Sequence, residues 1–407
     1  MAIKAGQILH AMNQFVVDRI QTAGAGNLNI PTEKIFELGN YQSVAIVRDV
    51  PDLSFTLDCL DVDTEVESIL LGASANPTAD AQGTQYLLAN AKPVDIVSPM
   101  KSAQGAFDIV KGVAIPQLTL ESASYRYGLR ENAGEQFALK GDSIFYVPGT
   151  PYQQTSAPAA GSVTFANGPA LLYTESGVSR YALNVSANGV RLVPGSDYTE
   201  TATGITLTAS GTALAAGAPI RVTYGSAVAA TYTQTVHQSV AVKPAAIRGK
   251  DIQVYVNVPG GSLYRWSDVQ SFNVDFRVTI EDDYEFGNPN AVAREATDAP
   301  AVSGAIELKP LSTQRFFDKL QQITGVAATD VVGPQSSVVL EVTVKLLNPD
   351  SGGTTAVPGG TVLKTIRVPD ARFTIPGYEG RVQQKMVATL NFESDAGILQ
   401  VYKGNPV

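Results

Sequence analysis

The sequence has little of the chemistry on which most enzymes depend. Among its 407 residues are one cysteine, Cys59, and two histidines, His10 and His237. Neither histidine stands in a catalytic motif, and Cys59 lies in the strand-like stretch LDCLD, where a small buried thiol is the usual role. The chain has no GxSxG, HExxH, P-loop or CxxC motif, and Gly24-x-Gly26 lacks the third glycine of a dinucleotide site. We therefore expect no enzymatic activity, no cofactor and no metal site.

Other absences limit where the protein works. A single cysteine allows no intrachain disulfide, which excludes the class of disulfide-stapled secreted domains. No apolar run approaches the roughly 20 residues of a membrane helix, and the opening MAIKAGQILHAMNQ lacks the apolar core of a signal peptide. Charged residues make up only 16%, and the net charge of −9 does not suit nucleic-acid binding, which needs clustered Lys and Arg. We expect a soluble protein, made in a reducing cytoplasm, with no membrane partner.

What the chain does contain is typical of a mainly β protein. Hydrophobic residues make up 44%, with 16 Tyr and 14 Phe, and 36 Gly and 23 Pro interrupt the apolar runs. TEVESILL (64–71) has helical spacing, and so does STQRFFDKLQQI (312–323), with Ser312 as its N-cap and Gly325 as its stop. Residues 107–120 and 122–127 predict a strand pair, and 136–147 a further strand.

The two ends of the chain resemble each other. IFELGNYQS (35–43) is similar to LYRWSDVQS (263–271), and a strand-like run follows each. RDVPDLSFTL (48–57) is similar to REATDAPAVSGAIEL (294–308). A repeat decides the architecture before any motif does. We predict two equivalent β modules, 1–149 and 236–407, each with a flanking helix.

Between the modules the composition changes twice. Residues 150–161, TPYQQTSAPAAG, have linker composition. Residues 162–226 contain short β runs separated by turn signals such as Asn188-Gly189, which predict a small β-sandwich. NGVRLVPGSDYT followed by PIRVTYGS is similar to Ig-like modules of phage structural proteins. We expect this unit to project from the outside of any assembly.

Two acidic clusters are candidate sites. The first is Asp58, Asp61, Asp63, Glu65 and Glu67, whose spacing and missing glycine do not fit a calcium loop; a solvated acidic face or an acidic helix N-terminus is expected. The second lies in a long acidic hairpin, 273–294, which only the second module carries. Its Glu281, Asp282, Asp283, Glu285 and Asn288 are predicted to contact a neighbouring subunit, in the adjacent ring of an assembly.

The second module, 236–407, resembles the major tail tube proteins of long-tailed bacteriophages with flexible, non-contractile tails. The stretches that carry the resemblance are QSFNVDFRV, VSGAIELKP, STQRFFDKLQQITG, VVLEVTVKLL and IRVPDARFTIPGYEGRVQQKMVATLNF, in that order. The resemblance implies a β-sandwich or barrel with a flanking helix, and six-module rings stacked into a hollow tube in the virion tail. Two modules in one chain imply a trimeric ring with pseudo-six-fold symmetry; a hexamer is the alternative.

The same resemblance implies the partners. They are copies of the chain itself, other tail proteins at the tube ends, and DNA that passes through the lumen without specific binding. An acidic lumen suits that passage because it repels phosphate. Two other functions remain open: another virion component, such as a capsid decoration, baseplate or fibre-attachment protein, and a carbohydrate-binding or enzymatic β-sandwich protein.

Overall fold

The protein is mainly β, as predicted. The computed structural model describes residues 10–13, 15–17, 20–25, 29, 32–36, 43–48, 51–60, 63–72, 80–100, 111–159, 161–175, 178–228, 247–261, 263–266, 268–285, 290–326, 338–348, 361–374, 377–379 and 387–406.

The strands fall into three groups along the chain. The first segment contains β1 (Ala11–Met12), β2 (Phe15–Val16), β3 (Ile20–Ala25), β4 (Thr32–Phe36), β5 (Ser43–Arg48), β6 (Leu53–Cys59), β7 (Gln85–Leu87), β8 (Val94–Met100), β9 (Lys111–Gly128), β10 (Gly134–Gly141) and β11 (Phe145–Pro148). The middle contains β12 (Thr150–Ser156), β13 (Ser162–Thr164), β14 (Tyr173–Glu175), β15 (Val178–Arg180), β16 (Ala182–Ala187), β17 (Val190–Arg191), β18 (Tyr198–Thr201), β19 (Gly204–Leu207) and β20 (Ile220–Ser226). The third contains β21 (Ile252–Asn257), β22 (Arg265–Trp266), β23 (Val269–Arg277), β24 (Ile280–Asp283), β25 (Ala293–Ala296), β26 (Ala301–Leu308), β27 (Leu340–Leu347), β28 (Val362–Phe373), β29 (Gly377–Glu379), β30 (Val387–Ser394) and β31 (Gln400–Lys403).

Three α-helices accompany these strands in the described ranges: α1 (Glu65–Leu71), α2 (Ala209–Ala215) and α3 (Pro310–Thr324). The first and third confirm the predicted helices. Ser312 is not the N-cap of α3, however, because the helix begins two residues earlier with Pro310 in its first turn. Proline suits that position, since its missing N–H has no partner there in any case. Gly325 ends the helix as predicted, at φ 71°.

Strand β9 organises the first segment. Its first half pairs with β8 and β11, and its second half pairs with β10, which in turn pairs with β6. The predicted strand pair 107–120 and 122–127 is therefore wrong. From Lys111 onward the two stretches form one strand, and a register shift against β10 at Glu121 accounts for the polar residue between them.

The third segment repeats this arrangement. Cys59 of β6 pairs with Ile20 on one side and Glu135 on the other, and Leu308 of β26 pairs with Val269 and Ala388 in the same way. β27 and β28 correspond to β8 and β9, and β30 and β31 to β10 and β11. Irregularities recur at the same places: β3 and β23 each have one extra residue opposite β6 and β26, and the β8–β9 and β27–β28 pairs shift register at matching positions.

These pairings correct the sequence alignment of the two copies. The position equivalent to Ser271 is Thr22, because each follows the extra residue of its strand; it is not Ser43. The acidic hairpin is also not an extra element. Residues 273–277 belong to β23, the hairpin proper is β24–β25, and the β4–β5 hairpin occupies the same place between β3 and β6.

The middle unit, 150–226, is a sandwich of a four-stranded sheet, β12-β20-β16-β17, and a three-stranded sheet, β13-β19-β18. The prediction of a linker at 150–161 is wrong for its first part, because β12 pairs with β20 over its whole length. Tyr198, Ile220, Val222 and Tyr224 are buried in its own core. The first and third segments, in contrast, share one contiguous hydrophobic cluster.

Candidate assembly surfaces

Two strand junctions join the first and third segments within the chain. At the first, β9 pairs with β23 from Gly128 opposite Ser271 to Ser122 opposite Arg277. Tyr127 stacks on Phe272 with ring centroids 6.2 Å apart, and Phe272 stacks in turn on Phe392. The sheet therefore continues from one segment into the other without an open edge.

At the second junction β7 of the first segment pairs with β31 of the third. Tyr86 lies opposite Val401, and both side chains are fully buried. The first segment thus covers β31 as well as β23, and the two contacts together fix how one segment sits against the other.

Among the described residues, the strands that correspond to these two junctions are each open along one edge. β3, which corresponds to β23, pairs only with β6 among the described strands. β29, which continues β28 and corresponds to the second half of β9, pairs only with β30 in the same part of the chain. Tyr146 of β11 corresponds to Val401 of β31, because Tyr146 pairs with Val113, Val401 pairs with Ile366, and Val113 and Ile366 are equivalent. Val401 is fully buried, whereas Tyr146 is 69% exposed. Unpaired strand edges are templates for further pairing.

A buried ionic cluster lies where the two segments meet. The Lys364 ammonium of β28 is 2.5 Å from Glu67 Oε1 of α1 and 2.8 Å from Glu135 Oε2 of β10, and all three side chains are almost wholly buried. Tyr125 donates a hydrogen bond to Glu67, and Tyr127 donates one to Glu135. Burial, together with the Glu67 charge, raises the pKa of Glu135 to about 8 despite the nearby ammonium. One ammonium group thus faces two buried carboxyl groups.

This cluster corrects the expectation of a solvated acidic face. Glu65 and Glu67 are buried, and Glu67 binds Lys364. Asp63 is partly buried, and its carboxylate accepts a hydrogen bond from the Thr64 N–H at the start of α1. Asp58 is also partly buried and accepts a hydrogen bond from Gln136. Asp61 lies outside the described residues.

The acidic hairpin rests on its own chain. Asp282 binds Lys140 at 2.9 Å and Arg294 at 2.7 Å, and its side chain is only 14% exposed. Arg294 in turn reaches Asp142 at 3.1 Å. Asp282 is therefore an internal ion-pair residue rather than a free surface charge. Glu281, Asp283 and Glu285 are exposed, and Asn288 lies outside the described residues.

Asp142 also ties the middle unit to this joint. Arg191 of β17 binds its carboxylate at 3.0 Å, and the Ala291 N–H donates to the same group. Burial alone raises the pKa of Asp142, but Arg191 and Arg294 outweigh it and hold the pKa below its ordinary value. All three parts of the chain therefore meet at one side chain.

A second polar contact fixes the middle unit to β8. Thr223 donates a hydrogen bond to the buried Asp95, and Arg221 lies 3.6 Å from the same carboxylate. Leu183 packs with Val97 and Val147 in a small shared cluster. The middle unit is therefore docked along one face of the first segment.

The two candidate catalytic side chains that the structure describes, His10 and Cys59, lie in the first segment. Burial lowers the pKa of His10, whose Nδ1 lies 2.9 Å from Ser98 Oγ, and Cys59 is buried in β6. His237 lies outside the described residues. Within the described ranges no three His, Cys, Asp or Glu side chains are grouped to hold a metal ion. None of the helices described is long and apolar enough to cross a membrane.

Sequence reasoning missed the residues that join the parts of the chain, Lys364, Asp142, Arg191 and Arg294. It also missed the exposed Tyr146. Lysines and arginines in strands usually face solvent, and the partners of these lie far away in the sequence. One signal was present, because Lys364 stands in the run VLKTIRV between apolar residues. A charge among apolar strand residues is compatible with a buried ion pair.

No protein-family model and no curated protein matches the sequence. Part of the chain is similar to the tube-terminating cap of the anti-feeding prophage, at 11% identity and a TM-score of 0.28, over 36% of this chain and 92% of that one. A chain of the six-fold symmetrised baseplate of the anti-feeding prophage is similar at 14% identity and a TM-score of 0.26, over 40% of this chain and 97% of that one. TM-scores this low do not establish a shared fold.

Proposed function

We propose that the protein is a structural subunit that assembles with copies of itself into rings, which stack into the hollow tube of a phage-like tail. The proposal rests on the strand junction between the two segments and on the open counterparts of its two strands. The chain joins its two segments through β9 and β23. The counterparts of those two strands, β29 and β3, are each paired along one edge only among the described strands. Each copy thus offers one edge of each kind.

Complementary edges at different places on one subunit give a heterologous, head-to-tail contact. Such contacts generate a closed ring when the rotation between copies closes, and a helical filament when it does not. If every junction repeats the geometry within the chain, the segments become equivalent sectors. The six-module ring of the family that the sequence resembles then needs three chains, with one middle unit on each.

The remaining properties are consistent with a passive conduit. A net charge of −9 disfavours tight binding of DNA and suits a lumen through which DNA slides. No catalytic group is needed for this role, and other tail proteins would meet the exposed faces of the first and last rings. The protein would act in the virion tail after its synthesis in the cytoplasm of the host bacterium.

The proposal is tested by concentrating the purified protein and following its mass and shape. We expect particles of three times 42.9 kDa by light scattering, and rings or tubes in negative-stain images. End-on averages should show three outer knobs and six inner sectors. A protein that stays monomeric at every concentration and ionic strength contradicts the proposal, and six knobs in each ring contradict the trimer.

A further inference from the structure

We infer that β3 of one copy pairs antiparallel with β29 of the next copy in the register of the internal β9–β23 junction, with Gly24 opposite Glu379 and Ala25 opposite Tyr378. The inference rests on the proposed function, since it names the contact that would close the ring. It goes further by assigning the residues, the strand direction and the register.

The register follows from strand pairings inside the chain. Asn273 lies opposite Arg126 at the internal junction. Asn273 also pairs with Ala305 of β26, and the equivalent pair in the first segment is Gly24 with Thr56 of β6. Gly24 therefore has the position of Asn273.

The other side of the junction follows in the same way. Arg126 pairs with Gly134 at the start of β10, and Glu379 pairs with Val387 at the start of β30. Glu379 therefore has the position of Arg126. One residue along, Tyr378 has the position of Tyr125, because they pair with Ala388 and Glu135.

The edge of β3 is exposed and has room for a partner strand. Its Thr22 is exposed and Ala23 only partly buried, whereas the corresponding Phe272 is 2% exposed beneath β9. A side-chain carbon added at Gly24 would meet nothing within 4 Å, so there is room beside this edge. A second copy is the occupant that fits, because its β29 has the position that the second half of β9 has at the internal junction.

The exposed tyrosine supports the same orientation. In the internal arrangement the segment that contributes β9 also covers Val401 through β7. Tyr146, at the position of Val401, is bare on the first segment. By the same geometry, the neighbouring segment that contributes β29 would lie over Tyr146. Both uncovered places would then be filled by the same neighbour.

Cysteine cross-linking tests the register directly. The variant Gly24→Cys/Glu379→Cys places thiols opposite each other across the inferred contact. Gly24→Cys/Tyr378→Cys is the slipped control, since neighbouring residues of a strand point to opposite faces. Arg126→Cys/Asn273→Cys is the positive control for the same position at the internal junction. The native Cys59 is 2% exposed and remains in all variants.

After oxidation of the assembled protein, we expect Gly24→Cys/Glu379→Cys to yield covalent dimers and trimers on non-reducing gels, about tenfold more than the slipped pair. The positive control should form a bond within one chain. The register would be overturned if the parent assembles and the positive control forms its disulfide, but the Gly24→Cys/Glu379→Cys variant gives no more cross-linked oligomer than the slipped pair. That result would leave the proposed function in place. A parent that never assembles would refute both. Should the double variant fail to assemble, mixing the two single-cysteine proteins gives the same comparison.

Discussion

Replacing Lys364 with methionine removes the ammonium group that faces two buried carboxyl groups and keeps most of the aliphatic side chain. Lys364 is fully buried, and its Nζ contacts Glu67 and Glu135 within 2.8 Å. Removing one partner of a buried ion pair costs about 3–5 kcal/mol because the other charge is left uncompensated. That is a large part of the about 5–15 kcal/mol by which folded proteins are usually stable. We expect the Lys364→Met variant to unfold at a much lower urea concentration than the parent.

The loss should depend on pH in a defined direction. The pKa of Glu135 is raised from 4.5 to about 8, so between those values the folded parent holds one proton more than the unfolded chain. Its contribution is therefore complete below pH 4.5 and is lost as the pH rises towards 8. Without the ammonium group, the Lys364 charge and hydrogen bond no longer lower the pKa of Glu135. The loss of stability with rising pH should therefore extend to higher pH in the variant than in the parent.

Urea unfolding followed by circular dichroism at several pH values measures both effects. Lys250→Met is the matched control, because the Lys250 side chain is 63% exposed and lies 3.5 Å from the carboxylate of the buried Asp251. Water screens the exposed ammonium group, so this pair contributes about 1 kcal/mol or less. Adding Glu67→Gln to the Lys364→Met variant should recover part of the loss and reduce the extra pH dependence. A Lys364→Met protein as stable as the control, with the pH profile of the parent, would refute an ionic role for the cluster.

Three further substitutions, two of them with a control, test the exposed tyrosine and the ion pairs. Tyr146→Asp should block ring formation without lowering the urea midpoint, because the side chain is 69% exposed. Leu214→Asp on α2, the control, should change neither ring formation nor the urea midpoint. Equal assembly of both variants would argue against a contact at Tyr146. Arg191→Leu should cost about 3 kcal/mol, because the carboxylate it binds is buried, and an unchanged melting curve would contradict this. Asp282→Lys should destabilise the monomer by breaking two ion pairs, while Asp283→Lys should stay within about 0.5 kcal/mol of the parent in the same assay.

Elements with a strong local period were predictable from the sequence. α1 and α3 have apolar residues at helical spacing and end at glycines with positive φ. β27 alternates apolar and polar residues from Leu340 to Leu346. The mainly β class followed from composition. Boundaries were less predictable where a polar residue interrupts an apolar run, as at Glu121, since an irregularity inside a strand and a turn between two strands look alike in sequence.

Long-range partners decided the places where prediction failed. Glu65 and Glu67 have the composition of a solvated helix start, but Glu67 is buried against a lysine 297 positions away. Residues 150–156 have the composition of a linker, yet their backbone is paired by β20 near the end of the middle unit. Short motifs indicated the repeat, but they aligned the two copies incorrectly. The first motif, residues 35–43, lies in the β4–β5 hairpin, whereas Ser271 of the second motif lies in β23, whose counterpart is β3.

The joint at Asp142 has a consequence for the order in which the chain becomes structured during synthesis. The carboxylate lies in the first segment, and its two arginine partners lie 49 and about 150 positions later. Lys364 arrives later still, after Glu67 and Glu135 have long left the ribosome. An emerging first segment therefore carries three carboxyl groups that need cations it has not yet received, and burying them early would be unfavourable. Its final packing must wait until nearly the whole chain has been made, so strand edges that could capture another copy become fixed only in a finished subunit.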